Sequence, residues 1–165
     1  MNGTLCFTTK AQSMNFFSVK HYLVILLLTL SLVSCNDNVI SSIPDFPVYL
    51  ALNLTTTYPT FRNSYNQYLV FKKPVFVTDR IGYGGILVYT DLSGDYCAFD
   101  LSCPYEAKQD IRVVPNSSGQ AVCEGCGSVF VISDGIGYPL SGKAKETLKR
   151  YKATLSGDVL YITAR

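Results

Sequence analysis

Beyond Phe46, hydrophobic residues occur in short runs that are separated by clusters of turn-forming residues. Short runs rich in Val, Ile, Tyr and Phe predict strands, and their regular spacing predicts an all-β sandwich or small barrel. The predicted strands are 47–54, 68–71, 74–78, 86–90, 96–101, 111–114, 120–123, 128–132, 149–155 and 159–163. The helical candidate, residues 143–149, is too short to be stable on its own.

A longer apolar run precedes this region. Residues 22–33 are too few to span a bilayer, which takes about 20 residues, and they are typical of the core of a secretory signal. The run ends at Leu32-Val33-Ser34-Cys35, which resembles the lipobox of bacterial lipoproteins. The resemblance implies acylation of Cys35, a membrane partner through that lipid, and a place in the bacterial cell envelope, at the outer membrane or the periplasmic face. The alternatives are an ordinary signal cut nearby and a free cysteine.

These features divide the chain into three parts. Residues 1–34 are a predicted signal peptide, in which 1–13 are interpreted as a start-site extension ahead of Met14. Residues 35–47 are polar and contain Pro44 and Pro47, which predicts a tether. Residues 48–165 are the predicted β domain.

Charge and histidine content exclude some classes of function. The whole chain has 14 Lys and Arg against 12 Asp and Glu, and two of the lysines, Lys10 and Lys20, lie in the predicted signal. A near-neutral mature chain does not bind nucleic acid by charge. The only histidine of the sequence, His21, also lies in the signal. Because triads with a Ser or Cys nucleophile use a histidine base, we expect a binding or electron-transfer module rather than an enzyme.

Candidate chemistry is concentrated in two cysteine-bearing segments, AFDLSCPYE and AVCEGCGSVF. They contain Cys103, Cys123 and Cys126, each in a turn that follows an apolar run. A metal or cluster needs soft thiolate ligands that converge from separate backbone segments. Gly125 and Gly127 allow the backbone to curl around such a ligand. We therefore expect the three sulfur atoms to meet at one point.

The spacing of these segments resembles the Rieske iron–sulfur family, whose pattern is C-x-H, about fifteen to seventeen residues, and then C-x-x-H-G-S with an aromatic residue close behind. In that family two cysteines hold one iron and two histidines hold the other. Cys103 and Cys123 match the family cysteines, whereas Tyr105 and Cys126 stand at the histidine positions. The tail of the motif matches Gly127, Ser128 and Phe130. The resemblance extends over 68–165.

The resemblance implies a Rieske-like β-sandwich or barrel with two cysteine-bearing loops. It also implies one-electron transfer to a redox partner protein through a [2Fe–2S] cluster on Cys103, Cys123 and Cys126, with Tyr105 or another residue as fourth ligand. Ser128 would hydrogen-bond a cluster sulfide. Replacing imidazole by thiolate would lower the reduction potential of the cluster toward all-cysteine values of about −400 mV.

Other interpretations of the cysteines stay open. C-x-x-C-G resembles a zinc-ribbon knuckle, so zinc is the alternative metal, although Cys103 has no C-x-x-C partner. In an oxidising compartment, Cys123 could instead form a disulfide with Cys103 or Cys126. The site could also hold nothing, in which case the protein is a structural or binding module of the envelope.

Cys97 is a further candidate ligand, because it shares strand parity with Cys103. On a straight strand of about 3.3 Å per residue, the two lie about 20 Å apart. We therefore interpret Cys97 as a small buried hydrophobe.

Overall fold

The computed structural model describes residues 41–165, and this part of the chain folds into antiparallel strands without a helix. None of it is therefore a helix long and apolar enough to cross a membrane. The strands are β1 Val48–Asn53, β2 Gln67–Phe71, β3 Arg80–Ile81, β4 Ile86–Thr90, β5 Tyr96–Asp100, β6 Val113–Pro115, β7 Gln120–Cys123, β8 Val129–Val131, β9 Tyr138–Ser141, β10 Arg150–Ser156 and β11 Val159–Thr163. The predicted all-β class is confirmed.

The larger sheet contains seven strands in the order β2-β4-β5-β10-β11-β1-β3 and curves into a nearly closed barrel. As the sequence predicts, β10 and β11 form a hairpin, in which Ser156 lies opposite Val159. Gly157 turns this hairpin with a φ of 59°, a conformation that favours glycine. β11 then pairs with β1, so the last strand of the domain closes onto the first.

The smaller sheet has the order β6-β7-β8-β9. Its first hairpin turns at Asn116, whose side-chain oxygen accepts hydrogen bonds from the N–H groups of Ser118 and Gln120. Asparagine favours such turns because its side chain can replace a backbone acceptor. An isolated bridge between Ser102 and Arg112 connects the end of β5 to the start of this sheet. The two cysteine segments therefore lie where the sheets meet.

Strand β4 contributes to both parts of the hydrophobic core. Ile86 and Val88 pack into a cluster inside the barrel, and Leu87 and Tyr89 pack into a second cluster between the sheets. All four side chains are fully buried. An uninterrupted apolar run such as ILVYT is typical of a strand that is covered on both faces. The second cluster includes Cys103 and Cys123, so the cysteine segments are built on packed core.

One predicted strand is wrong. Residues 74–78 form turns rather than a strand, and Val77 in them is 96% exposed. The Asp79 carboxylate accepts hydrogen bonds from the N–H groups of Val75 and Phe76, which removes these donors from strand pairing. Arg80 begins β3.

Residues 143–149, the helical candidate, are not helical. The N–H groups of Lys143 and Ala144 both donate to the side chain of Ser128, so they are held by a loop contact.

The second half of the predicted tether is in contact with the domain. The Ile43 side chain is 1% exposed, and Lys149 Nζ donates to the carbonyl oxygens of Ile43 and Pro44 at 2.9 Å. The Ser42 N–H donates to the Glu146 carboxylate. We call residues 41–47 the N-terminal strap. The predicted signal peptide and Cys35 lie outside the described residues.

Candidate metal centre

Three cysteine side chains converge between the two sheets. The Sγ atoms of Cys103, Cys123 and Cys126 all lie within 4.8 Å of one another, and those of Cys103 and Cys126 are 3.6 Å apart. Cys103 and Cys123 are fully buried, and Cys126 is partly exposed. All three are free thiols. The predicted convergence is confirmed, and the group could hold a metal ion.

A buried carboxylate fixes the approach to the first cysteine. Asp100, at the end of β5, is fully buried and accepts hydrogen bonds from the N–H groups of Tyr83, Gly84 and Ser102. The Tyr151 hydroxyl of β10 also donates to it at 2.5 Å. Hydrogen bonds to a buried charged group are among the stronger ones in proteins. Asp100 thus ties the segment before Cys103 to the barrel.

The first and second cysteine loops, residues 103–107 and 123–127, have matching backbones. The N–H of Ala107 donates to the carbonyl of Cys103 at 2.9 Å, and the N–H of Gly127 donates to the carbonyl of Cys123 at 2.8 Å. In each loop the donating residue has positive φ, 49° for Ala107 and 73° for Gly127. This conformation is uncommon for residues other than glycine. The two loops are therefore the same turn built from different residues.

A third segment holds the second loop in place. Ser128 Oγ accepts hydrogen bonds from the N–H groups of Lys143 and Ala144 at 3.0 Å and 2.9 Å, and it lies 3.1 Å from Cys126 Sγ. Gly142 permits this contact, because a Cβ there would lie 2.4 Å from Ser128 Cα. Ser128 thus supports a candidate ligand, Cys126, and its hydrogen bond to a cluster sulfide stays a prediction.

The environments of the three thiols differ. Burial raises the pKa of Cys103 to about 12, although the N–H groups of Glu106 and Tyr105 oppose the shift. At Cys126, burial is outweighed by the hydroxyl and N–H groups of Ser128, which lower the pKa of that thiol. Cys126 is therefore the more easily ionised of these two candidate ligands, and metal binding must displace a tightly held proton at Cys103.

Tyr105 lies on the first loop with its side chain 52% exposed. Lys143 Nζ lies 5.8 Å from the centre of its ring. Its role as a ligand stays a prediction, as does acylation of Cys35, which is outside the described residues.

Cys97 does not belong to the group of three sulfurs. It packs against the core cluster between the sheets, and burial raises its pKa to about 11.

Sequence reasoning gave no role in the site to Glu106, which is partly buried on the first loop. Glu106 Oε1 and Cys123 Sγ lie 3.7 Å and 3.8 Å from the position that a Cβ on Gly125 would occupy. The carboxylate therefore points toward the second loop. The available signal is the offset in the sequence, because Glu106 follows Cys103 by three residues, as Cys126 follows Cys123.

Comparisons with known proteins do not assign the chain. No family model matches it, and no curated protein matches its sequence.

Proposed function

We propose that this domain binds a single metal ion through Cys103, Cys123 and Cys126. The distance of 3.6 Å between the Cys103 and Cys126 sulfurs supports this proposal. Tetrahedral Zn²⁺ with bonds of about 2.3 Å requires its sulfur ligands to be about 3.8 Å apart. A binuclear cluster with the Rieske assignment would put Cys126 on the iron that Cys103 does not bind, and their sulfurs would then lie farther apart.

Zn²⁺ fits this donor set best. Three thiolates with one further ligand are typical of structural zinc sites. In such sites the binding free energy of the ion stabilises the folded state. One cysteine comes from the loop after β5, one is the last residue of β7, and one comes from the loop after β7. An ion on all three would cross-link the two sheets.

A second candidate is a [2Fe–2S] cluster. The Rieske-like spacing and the position of Ser128 beside Cys126 support it. The cluster would supply one-electron transfer to a partner protein. In the chain itself, Cys103 and Cys123 would hold one iron, Cys126 would contribute to the other, and the Ser128 hydroxyl would stabilise added negative charge.

We also propose that the domain is attached to the bacterial cell envelope by a lipid on Cys35. The lipobox-like sequence before Cys35 supports this proposal. Expression of Cys35→Ala should leave an unprocessed, unacylated precursor, which mass spectrometry would detect. Normal processing of this variant would contradict acylation.

Metal content and colour separate the candidates for the centre. We expect the purified full-length chain, reduced and supplied with Zn²⁺, to bind about one ion and to stay colourless. A cluster protein, after reconstitution with iron and sulfide, would be brown, absorb above 400 nm and contain two irons and two acid-labile sulfides.

Cys97→Ser is the matched control, since it removes a thiol outside the group, and it should bind metal normally. Cys123→Ser should bind none. If the reduced wild-type chain takes up neither zinc nor iron, the proposal of a metal centre is wrong.

A further inference from the structure

The matching turns of the two cysteine loops identify equivalent side chains. In the second loop, the cysteine at the first place and the cysteine three residues later, Cys123 and Cys126, both belong to the sulfur group. In the first loop, the corresponding places hold Cys103 and Glu106. Both turns have the same closing hydrogen bond and end on a residue with positive φ. The side chain of the third residue after each cysteine therefore leaves its turn in the same direction.

The position of the Glu106 carboxylate agrees with this correspondence. Its Oε1 atom and Cys123 Sγ approach the same point beside Gly125. A Cβ on Gly125 would lie 2.8 Å from the Ile111 side chain, so a larger residue does not fit there without a shift. Glycine at this position leaves room between the loops for the Glu106 carboxylate. Within residues 41–165, the Glu106 carboxylate makes neither a hydrogen bond nor an ion pair.

The other oxygen donors on the two loops are less well placed. Tyr105 is largely exposed, with its ring beside Lys143. Glu124, on the second loop, is exposed. Glu106 is the carboxylate that is both partly buried and directed between the loops.

We propose that Glu106 is the fourth ligand of the metal centre, which is then a Cys₃Glu site for one Zn²⁺ ion. This inference rests on the proposed single-ion function. The carboxylate is not within 4.8 Å of all three sulfurs, so binding requires rotation about its side-chain torsions. A carboxylate oxygen bound to Zn²⁺ lies at about 2.0–2.2 Å, against about 2.3 Å for sulfur.

The test compares two charge-neutralising variants of the full-length chain. Glu106→Gln and Glu124→Gln each remove one carboxylate from a cysteine loop, but only the first removes the proposed ligand. We expect Glu106→Gln to weaken Zn²⁺ or Co²⁺ binding about 10-fold to 100-fold or more, the loss that even supporting residues of metal sites cause when they are replaced. Glu124→Gln should bind as the wild type does.

A third variant, Glu106→Cys, tests directly whether the side chain at position 106 reaches the metal ion. X-ray absorption of the zinc-bound wild type should show three sulfurs and at least one oxygen, and Glu106→Cys should show four sulfurs. The Co²⁺ form should also gain thiolate charge-transfer intensity in this variant.

The outcomes distinguish the two proposals. If the wild type binds no ion, the metal function itself fails. If the wild type binds one ion but Glu106→Gln binds as tightly as Glu124→Gln, or if Glu106→Cys still shows three sulfurs, the centre stands and Glu106 is not its ligand.

Discussion

The two cysteine loops show how one turn can be built in two ways. In the second loop, Gly127 takes the left-handed conformation, and Ser128 is held by the segment that follows β9. In the first loop, Ala107 takes that conformation, and the preceding chain is fixed by the buried Asp100. The second loop has the residues expected for its backbone, whereas packing around the first loop imposes the turn on a less suitable residue. The backbone turn of a C-x-x-C-G sequence can therefore form without that sequence pattern.

The largest difference between the loops should appear when their cysteines are replaced. Cys103→Ser and Cys126→Ser should each abolish binding of the ion. In the metal-free protein, however, Cys103→Ser buries a new hydroxyl and should cost about 1–3 kcal/mol, because Cys103 is fully buried. Cys126 is partly exposed, so its replacement should change the free energy of unfolding by about 0.5 kcal/mol or less. Urea denaturation with chelator present measures both values, and equal losses would contradict this comparison.

Ser128→Ala should weaken the second loop selectively. It removes the acceptor for two N–H groups and the hydroxyl beside Cys126. We expect metal affinity to fall about 10-fold to 100-fold, as for other residues that support metal ligands. Isothermal titration with Zn²⁺ measures the change.

Ser102→Ala, directly before the first loop, is the matched control. The Ser102 hydroxyl is buried, and no partner for it is present among residues 41–165. Its removal should leave metal affinity unchanged, and a similar loss in both variants would show that the effect is not specific to Ser128.

The thiols should also respond differently to pH in the metal-free protein. The pKa of Cys126 is lowered, so iodoacetamide should alkylate Cys126 well before Cys103, as peptide mapping would show. The pKa of Cys103 is raised from 9.0 to about 12, which means that folding disfavours its thiolate. Its contribution to stability should be complete below pH 9 and be lost as the pH rises toward 12. Faster alkylation of Cys103 than of Cys126 would be inconsistent with these environments.

Replacing the residues with positive φ should have modest effects on stability. No atom lies within 4 Å of a Cβ added to Gly127, so Gly127→Ala should cost only the left-handed strain of about 1–2 kcal/mol. Ala107→Gly should be neutral or stabilising within about 1 kcal/mol, because relief of strain offsets the added freedom of the unfolded chain. Thermal unfolding of the metal-free variants measures both, and a large loss in Ala107→Gly would show that its methyl group matters.

Much of this architecture follows from the sequence because its hydrophobic pattern is regular. The apolar run of β4 is typical of a strand that is covered on both faces, and the ends of β5 and β7 place the cysteines together. The pattern does not reveal that the Asp79 carboxylate accepts hydrogen bonds from the N–H groups of Val75 and Phe76. These bonds exist only once the turn has folded.

Two further features depend on contacts that are distant in sequence. The sequence did not predict β9, whose pairing with β8 contains a register irregularity at Val129 and Phe130. The sequence does not single out Glu106, because its equivalence to Cys126 rests on the positive φ of Ala107, which an alanine does not signal.

The placement of the loops on different sheets has a consequence for local opening. The first loop follows β5 of the barrel, and the second follows β7 of the smaller sheet, so an ion held by both loops would join the two sheets. Four short strands hold together less strongly than a nearly closed barrel, and proteins open in such cooperative units. In the metal-free protein, the backbone amides of β6 to β9 should therefore exchange hydrogen with solvent faster than those of the barrel.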